Sequence, residues 1–483
     1  MCLMVPRIPP LIAQLQQLAQ GYRGFHTPGH QRGRGAPASL REWWGEVVFT
    51  ADLAELPGLD NLGQPTGVLR EAQARVAHIF GAEHTWFLVN GATAGVLASL
   101  IAVQRENGYN ILPRYVHQSV IHGLILTGAK PIFITPEWDA QQQVWGGIDP
   151  KKLTAVLASQ NHSSINALVL NSPTYKGVCG AVAECIAIAH QYNIPVIVDE
   201  AHGAHFPFHP QLPDSALTLG ADVVIHSTHK VLTSLTQSAL LHQQGNRIAP
   251  ERMSQCLCLV QSSSPSYLLL ASLVATAEQM AEQGKTLFDH LFMQLTWFMP
   301  AIDQIPGCNR LKINPNRVGF TAQDPTRLVI QTTDLGITGF ALDELLHKEH
   351  HITAEFPDYG DLTFILSPSH TAADLQSVIA ALQAISADCP RQPLAPLPPL
   401  PPVTEGVMSP REAFFAPQRV LPWHEAVGQI SAVTVSPYPP GIPVLLPGEW
   451  ITSEVVDYLQ EMNRMGGQIV GCDGETIAVV SNW

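Results

Sequence analysis

A lysine that follows an apolar run is the first residue in this chain that could do covalent chemistry. Ser227-Thr228-His229-Lys230 comes directly after Asp222-Val-Val-Ile-His226. Such a run reads as a buried strand, and in open α/β sheets ligands bind beyond the carboxyl ends of strands. An amine placed there, and able to lose its proton, can form an imine with a carbonyl compound. A second run, Pro195-Val-Ile-Val, ends in Asp199 and continues as Glu200-Ala201-His202-Gly203-Ala204-His205. A carboxylate leaving an apolar strand is costly unless it meets a cation. A protonated pyridine nitrogen is such a cation, and an Asp on that nitrogen with a Lys on the carbonyl carbon is what pyridoxal phosphate requires. The two residues are thirty-one apart, which suits neighbouring strand ends. Read singly, each has a plainer meaning: Lys230 as a surface lysine, Asp199 as a loop-start carboxylate, His202 as a satisfied core histidine.

That cofactor also needs a phosphate site. Asn90-Gly91-Ala92-Thr93-Ala94-Gly95 lies between the apolar run Trp86-Phe87-Leu88-Val89 and an apolar helical window. Small residues let the backbone approach an anion, and a helix N-terminus presents free N–H groups. Thr93 adds a hydroxyl. The segment matches neither the dinucleotide fingerprint nor the P-loop, so on its own it is a weak signal.

The elements that must hold these residues alternate. Gly67 to Phe80 carries apolar residues at helical spacing and meets Gly81, a helix stop. Further apolar runs at 131–135 and 167–170, with helical windows at 118–127, 150–159 and 181–192, predict an α/β fold with a mostly parallel sheet covered on both faces. Residues 8–22 read as a short amphipathic helix, and Tyr267 to about Phe298 as a long one. Seven prolines in 390–402 mark a stiff linker. The expected organisation is an N-terminal arm over 1–24, a large domain over 25–298, a small α+β domain over 299–389, a linker over 390–404 and a C-terminal α+β domain over 405–483.

Composition excludes several classes. The net charge of −14 over 483 residues argues against a nucleic-acid partner. Charged residues make up 14% and mean hydropathy is +0.10, which disfavours disorder. No apolar stretch is long enough for a membrane span, and the start lacks the plan of a signal peptide. Eight scattered Cys without a CxxC pair read as reduced thiols of a cytoplasmic protein, and twenty His without HExxH or finger spacing give no metal site.

The ordered motifs resemble one family. Phe25-His26-Thr27-Pro28-Gly29-His30-Gln31, Gly58-Leu59-Asp60-Asn61-Leu62, His117-Gln118-Ser119, Ser227-Thr228-His229-Lys230, Ser263-Ser264-Pro265-Ser266-Tyr267, Pro410-Arg411-Glu412 and the 437–449 segment are similar to elements of the Orn/Lys/Arg decarboxylases. Gln31 and Gln118 stand where that family usually has Lys. The resemblance implies a fold-type I large domain with a seven-stranded sheet, and it implies roles. Lys230 would hold pyridoxal 5'-phosphate as an imine, and Asp199 would pair with its ring nitrogen. His117 would stack on one ring face and Ala201 press on the other. Ala92, Thr93 and Ser227 would bind the phosphate, while His202 and His229 would flank the ring and the imine. Residues around Ser264 would reach a neighbouring subunit's phosphate in a homodimer or larger homo-oligomer. The first motif begins at Phe25, so the N-terminal wing of longer members is expected to be absent.

The expected reaction is decarboxylation of arginine, lysine or ornithine to agmatine, cadaverine or putrescine. The catalytic set is Lys230, Asp199, His229 and His117, with His229 or Lys230 returning the proton to Cα. The substrate's distal cation needs an acid, and Glu355 and Asp60 are candidates; each also fits a solvated surface acid. An aminotransferase or carbon–sulfur lyase on the same scaffold, or a catalytically silent regulatory relative, remains open on the sequence.

Overall fold

The computed structural model describes residues 8–20, 23–392, 394, 398, 400–404, 406–438 and 443–481. Parts of the expected arm, of the proline-rich linker and of the 437–449 motif, including Pro439, Pro440, Gly441 and Ile442, lie outside the described residues. The chain divides into two compact units. The first comprises 1–102 and 195–286; the second comprises 103–194 and 287–483. Both units therefore draw on the segment expected to be one large domain, and the small and C-terminal α+β regions fall within the second.

Seven strands form the central sheet: β1 (His84–Leu88), β2 (Tyr109–Pro113), β3 (Lys130–Ile134), β4 (Ile165–Asn171), β5 (Val196–Asp199), β6 (Val223–His226) and β7 (Ala239–Gln243). Their order is β1-β7-β6-β5-β4-β2-β3. β5 and β6 are parallel, as are β2 with β3 and β2 with β4; β7 is antiparallel to both neighbours. The seven strands that the resemblance implied are present. Five come from the apolar runs. The other two, β2 and β7, carry polar residues that hid them. In β7, His242 sits opposite Thr85 of β1 and its Nδ1 lies 2.8 Å from the Thr85 hydroxyl. A cross-strand pair thus satisfies one ring nitrogen inside a strand that is buried throughout.

In the first unit, α1 (Pro10–Ala19) and α2 (Val68–Phe80) bury Leu11, Leu15, Leu69, Val76 and Phe80 in one core with Phe87 of β1. Burying each such side chain is worth roughly 1.5–3 kcal/mol. Gly81 ends α2 with φ of +79°, the left-handed stop that the sequence predicts. The next helix, α3 (Gly91–Val103), packs so close to the sheet that a Cβ on Gly95 would come within 2.8 Å of Leu88 Cδ1.

The second unit holds α4 (Gln118–Thr127), α5 (Pro150–Ser159) and α6 (Val182–Gln191), close to their predicted windows. It also holds a four-stranded antiparallel sheet with a hairpin of Phe356–Pro357 and Asp361–Ile365. The C-terminal region pairs Gln418–Pro422 with Thr476–Val480 and buries Val455, Val456 and Leu459 of the helix Ser453–Arg464. A buried ion pair fastens this region within its unit. Both guanidinium nitrogens of Arg114 donate to the Glu449 carboxylate at 2.6 and 2.9 Å, and Arg114 also donates to the Val444 carbonyl at 3.1 Å. Among the described residues, no helix is long and apolar enough to cross a membrane.

Candidate active site

Three elements of the first unit deliver the predicted residues to one edge of its part of the sheet. Because β7 alone is reversed there, the carboxyl ends of β1, β5 and β6 point the same way. Beyond β1, α3 opens with Gly91, Ala92 and Thr93, with φ of +71° at Gly91. A side chain larger than hydrogen would be strained at Gly91. The first turn of this thirteen-residue helix leaves backbone N–H groups unpaired by the helix itself, the arrangement an oxyanion needs. Ala92 is half-buried and Thr93 exposed.

β5 ends in Asp199, buried and level with Ile225 of β6. Its Oδ1 accepts the Ala201 amide at 3.1 Å. The next residue, Glu200, is a cross-brace that the sequence reading missed. Its carboxylate accepts from the Ser215 hydroxyl at 2.6 Å and the Ala216 amide at 2.7 Å, and lies 2.7 Å from His226 Nε2. His226 is the last residue of β6, so this buried network ties the end of β5 to the end of β6. Its sequence signal was the doublet Asp199-Glu200, in which the second acid had no assigned task.

Beyond β6, Ser227 is buried and Thr228–Val231 makes a single helical turn. Lys230 Nζ lies 3.0 Å from His202 Nε2. His229 Nδ1 donates to the Ser238 carbonyl at 3.0 Å, which fixes the ring's orientation and its Nδ1–H tautomer in the neutral form. Thr228 donates to the same carbonyl at 3.2 Å and receives the Ser234 hydroxyl at 2.7 Å. The turn carrying Lys230 is therefore pinned on both sides. The structure brings Ala92, Thr93, Asp199, Ala201, His202, Ser227, His229 and Lys230 to this edge of the first unit.

The other predicted residues are placed differently. His117 belongs to the second unit, where it caps α4; its Nδ1 accepts the Ser119 amide at 3.2 Å. Asp60 is corrected from substrate ligand to helix cap. Its carboxylate accepts from the amides of Thr66, Gly67 and Leu69 at 3.2, 2.6 and 2.9 Å and from the Thr66 hydroxyl at 3.3 Å. Burial pushes its carboxyl up, but these amides outweigh that and hold it below the usual carboxylate range. A carboxylate so engaged has little left to offer a substrate cation. Glu355 is exposed, and its amide pairs with the Thr363 carbonyl at 3.0 Å.

The second unit contains a cavity of about 830 Å³ whose wall includes His117, Tyr115, Trp145, Lys176, Asp358 and Asp361. Lys176 Nζ donates to Asp358 at 2.9 Å and to Asp361 at 2.6 Å. Burial pulls the ammonium's pKa down, but the two carboxylates outweigh it and hold it above the ordinary lysine value. Burial lifts Asp361 to about 6, with Lys176 opposing and Asp358 adding to the rise. The sequence signal for Lys176 was available: it too follows a strand, in Asn171-Ser172-Pro173-Thr174-Tyr175-Lys176.

Comparison with known proteins bears on the family and the fold. The model of the Orn/Lys/Arg decarboxylase major domain matches residues 9–374, and that of the C-terminal domain matches 402–481. The chain is 34% identical to the arginine decarboxylase of Bacillus subtilis over 94% of each protein. It is 26% identical to a lysine decarboxylase of Pseudomonas aeruginosa, over 97% of this chain and 78% of that one. Among solved structures, the lysine decarboxylase of Francisella novicida superposes with a TM-score of 0.85 at 22% identity, over 98% of this chain and 81% of that one, which establishes the fold. The chain belongs to the Orn/Lys/Arg decarboxylase family, a family of carboxy-lyases.

Proposed function

We propose that this protein is a pyridoxal-phosphate-dependent decarboxylase of a basic L-amino acid, with arginine the first substrate to test. Supporting the choice of arginine, relatives at 33–34% identity and near-full length are named arginine decarboxylases. The observation that carries the reading is the pairing of Lys230 with His202 at 3.0 Å on the same sheet edge as the buried Asp199.

The residues present fit the cofactor. A buried acid, an amine, and a small-residue helix start that a bulkier segment would block all face one edge. Lys230 would hold the cofactor covalently, Asp199 would keep a proton on its ring nitrogen, and Ala92, Thr93 and Ser227 would bind its phosphate. Ala201 would press on one face of the ring. When bound, the cofactor supplies an electron sink for the carbanion left as CO₂ departs.

The chain's own groups do the rest. His202 Nε2, within hydrogen-bond reach of Lys230 Nζ, can take a proton from the amine or return one. His229, held through Nδ1 by the Ser238 carbonyl, leaves Nε2 as the atom that would take up a proton and pass it to Cα. The Glu200 brace holds the two strand ends at fixed spacing, which preorganises Asp199 against the developing charge. The proposed assembly is a homodimer or larger homo-oligomer, checked by light scattering.

The deciding experiment incubates the cofactor-loaded protein with arginine, lysine and ornithine separately, following CO₂ and the amine product. Release of CO₂ with agmatine, cadaverine or putrescine supports the reading. Formation of a keto acid in place of CO₂, or no reaction with all three, overturns it.

A further inference from the structure

The segment from Thr228 to Ser238 carries Lys230 and leads into β7, and it buries three hydroxyl side chains. Thr228, Ser234 and Ser238 are 1%, 8% and 0% exposed. A buried hydroxyl is costly unless it finds a partner. Here the three are partners of one another. Ser238 Oγ reaches Ser234 Oγ at 2.8 Å and the Leu235 carbonyl at 2.5 Å. Ser234 donates to Thr228 Oγ1 at 2.7 Å, and Thr228 donates to the Ser238 carbonyl at 3.2 Å. The ring of hydroxyls thus starts at the side chain of Ser238 and returns to its backbone. His229 Nδ1 uses the same carbonyl, at 3.0 Å. A carbonyl oxygen has two lone pairs, and these two donors fill both. The loop is also held away from its easiest shape. Gln237, next to Ser238, has φ of +82°, where a residue with a Cβ is strained. Such a backbone persists only where its surroundings over-determine it.

We propose that Ser234 and Ser238 are positioning residues of the reaction, closing with Thr228 a ring of hydroxyls that holds the Ser238 carbonyl against His229 Nδ1. The hold keeps one hydrogen on Nδ1 and leaves Nε2 as the proton-exchanging atom. It also fixes the helical turn Thr228–Val231 that presents Lys230. The proposal rests on the decarboxylase reading, in which His229 returns the proton to Cα. Every group in the ring belongs to the first unit. Once the loop slackens, the carbonyl no longer selects one tautomer, and a proton donor in the wrong tautomer or orientation costs rate and not binding. A second set of contacts on the same loop provides a control. Thr233 Oγ1 donates to Gln279 at 2.7 Å and lies 3.2 Å from Thr276 Oγ1. These contacts tie the loop to the long helix Tyr267–Asp303 and are not part of the ring.

The test has two readouts. The first is kcat and KM of the holoenzyme with the basic amino acid it turns over best. Ser234→Ala should lower kcat about tenfold and leave KM within about twofold, the split expected when only the transition state loses support. Ser238→Ala keeps the carbonyl and should lower kcat roughly threefold to tenfold. Thr233→Ala should leave kcat within about twofold, even where it lowers the melting temperature as much as the other two. The borohydride-fixable link to the cofactor should persist in all three. The second readout needs no cofactor: nitrogen-15 NMR of the histidine rings at about pH 8.5, above the ordinary histidine range, with His229→Gln identifying the signal. His229 should show the Nδ1–H tautomer in the wild type and a mixture of tautomers in Ser234→Ala. Should Ser234→Ala fail to fold, Ser238→Ala decides both readouts. Wild-type turnover with unchanged kcat and an unchanged tautomer in the serine variants would overturn the proposal and leave the decarboxylase reading standing. Equal loss of kcat in Thr233→Ala would also overturn it, since any loosening of the loop would then suffice. No turnover of any basic amino acid by the wild type, with a tautomer that shifts in Ser234→Ala, would overturn the decarboxylase reading and leave the ring's hold on His229 standing.

Discussion

Two lysines in this chain stand just beyond strands of the same sheet, and their surroundings send them to opposite tasks. Lys230, after β6, sets its Nζ 3.0 Å from the ring nitrogen of His202. Lys176, after β4, sets its Nζ between two carboxylates at 2.6 and 2.9 Å. A histidine ring can exchange a proton with an amine. Two carboxylates do the reverse, since each favours the ammonium and keeps it charged. The lesson is that a lysine at a strand's carboxyl end is a position and not yet a role. Whether it can become a nucleophile is settled by the charge of what faces it.

The largest effect that separates the two is on cofactor attachment. Lys230→Ala should lose decarboxylation altogether, together with the borohydride-fixable link to pyridoxal phosphate. Lys176→Met should keep that link. A Lys176→Met protein that can no longer be fixed by borohydride would erase the distinction.

A smaller effect is on stability. Removing Lys176 leaves two facing carboxylates in a buried place, a change that typically costs about 3–5 kcal/mol. The sign with pH follows from the raised values. Lys176, held above its ordinary value, contributes stability at all pH below the lysine range and loses it only as pH climbs through that range. Asp361, raised from 3.8 to about 6, favours the folded state when protonated, and that contribution fades as pH rises through 6. Denaturant titrations should therefore find Lys176→Met more damaging at pH 8 than at pH 5, where Asp361 takes up a proton. Equal loss at both pH values would show that the cluster carries no such charge balance.

The smallest effect sharpens the comparison in the wild-type protein. The groups facing Asp361 are Lys176 and Asp358, and Tyr458, pushed above the usual tyrosine value first by burial and then by Asp358, stays neutral. Asp361→Asn should remove the fall in stability that the wild-type protein shows as pH rises through about 6 in denaturant titrations. An unchanged pH curve in that variant would remove Asp361 as the source of the fall.

The positions of the first unit's candidate residues at strand ends could be read before any coordinates. Asp199 ends one short run of β-branched residues and Lys230 follows another by four positions, and a charged residue so placed must answer to something beyond the strand. Gly81 marked the end of its helix because only a left-handed residue stops a helix so sharply. The second unit resisted for a physical reason. Lys176 reaches its two acids across 182 and 185 residues of sequence, and no local pattern encodes a pairing of that span. Strands β2 and β7 stayed hidden because Asn110 and His242 break the apolar pattern, although both are fully buried. Asp60 misled in the opposite way: an acid in a family motif suggested a ligand, whereas its neighbours Thr66 and Gly67 needed a cap.

The bidentate contact of Arg114 with Glu449 spans 335 residues and so carries a message about birth order. A ribosome exposes Arg114 long before it has synthesised its acid. Throughout that interval, a guanidinium destined for a dry interior has to stay wet or borrow a temporary partner. The second unit thus cannot reach its finished form before Glu449 has been made, and a chain cut short ahead of that residue would carry a stranded positive charge where its interior should be.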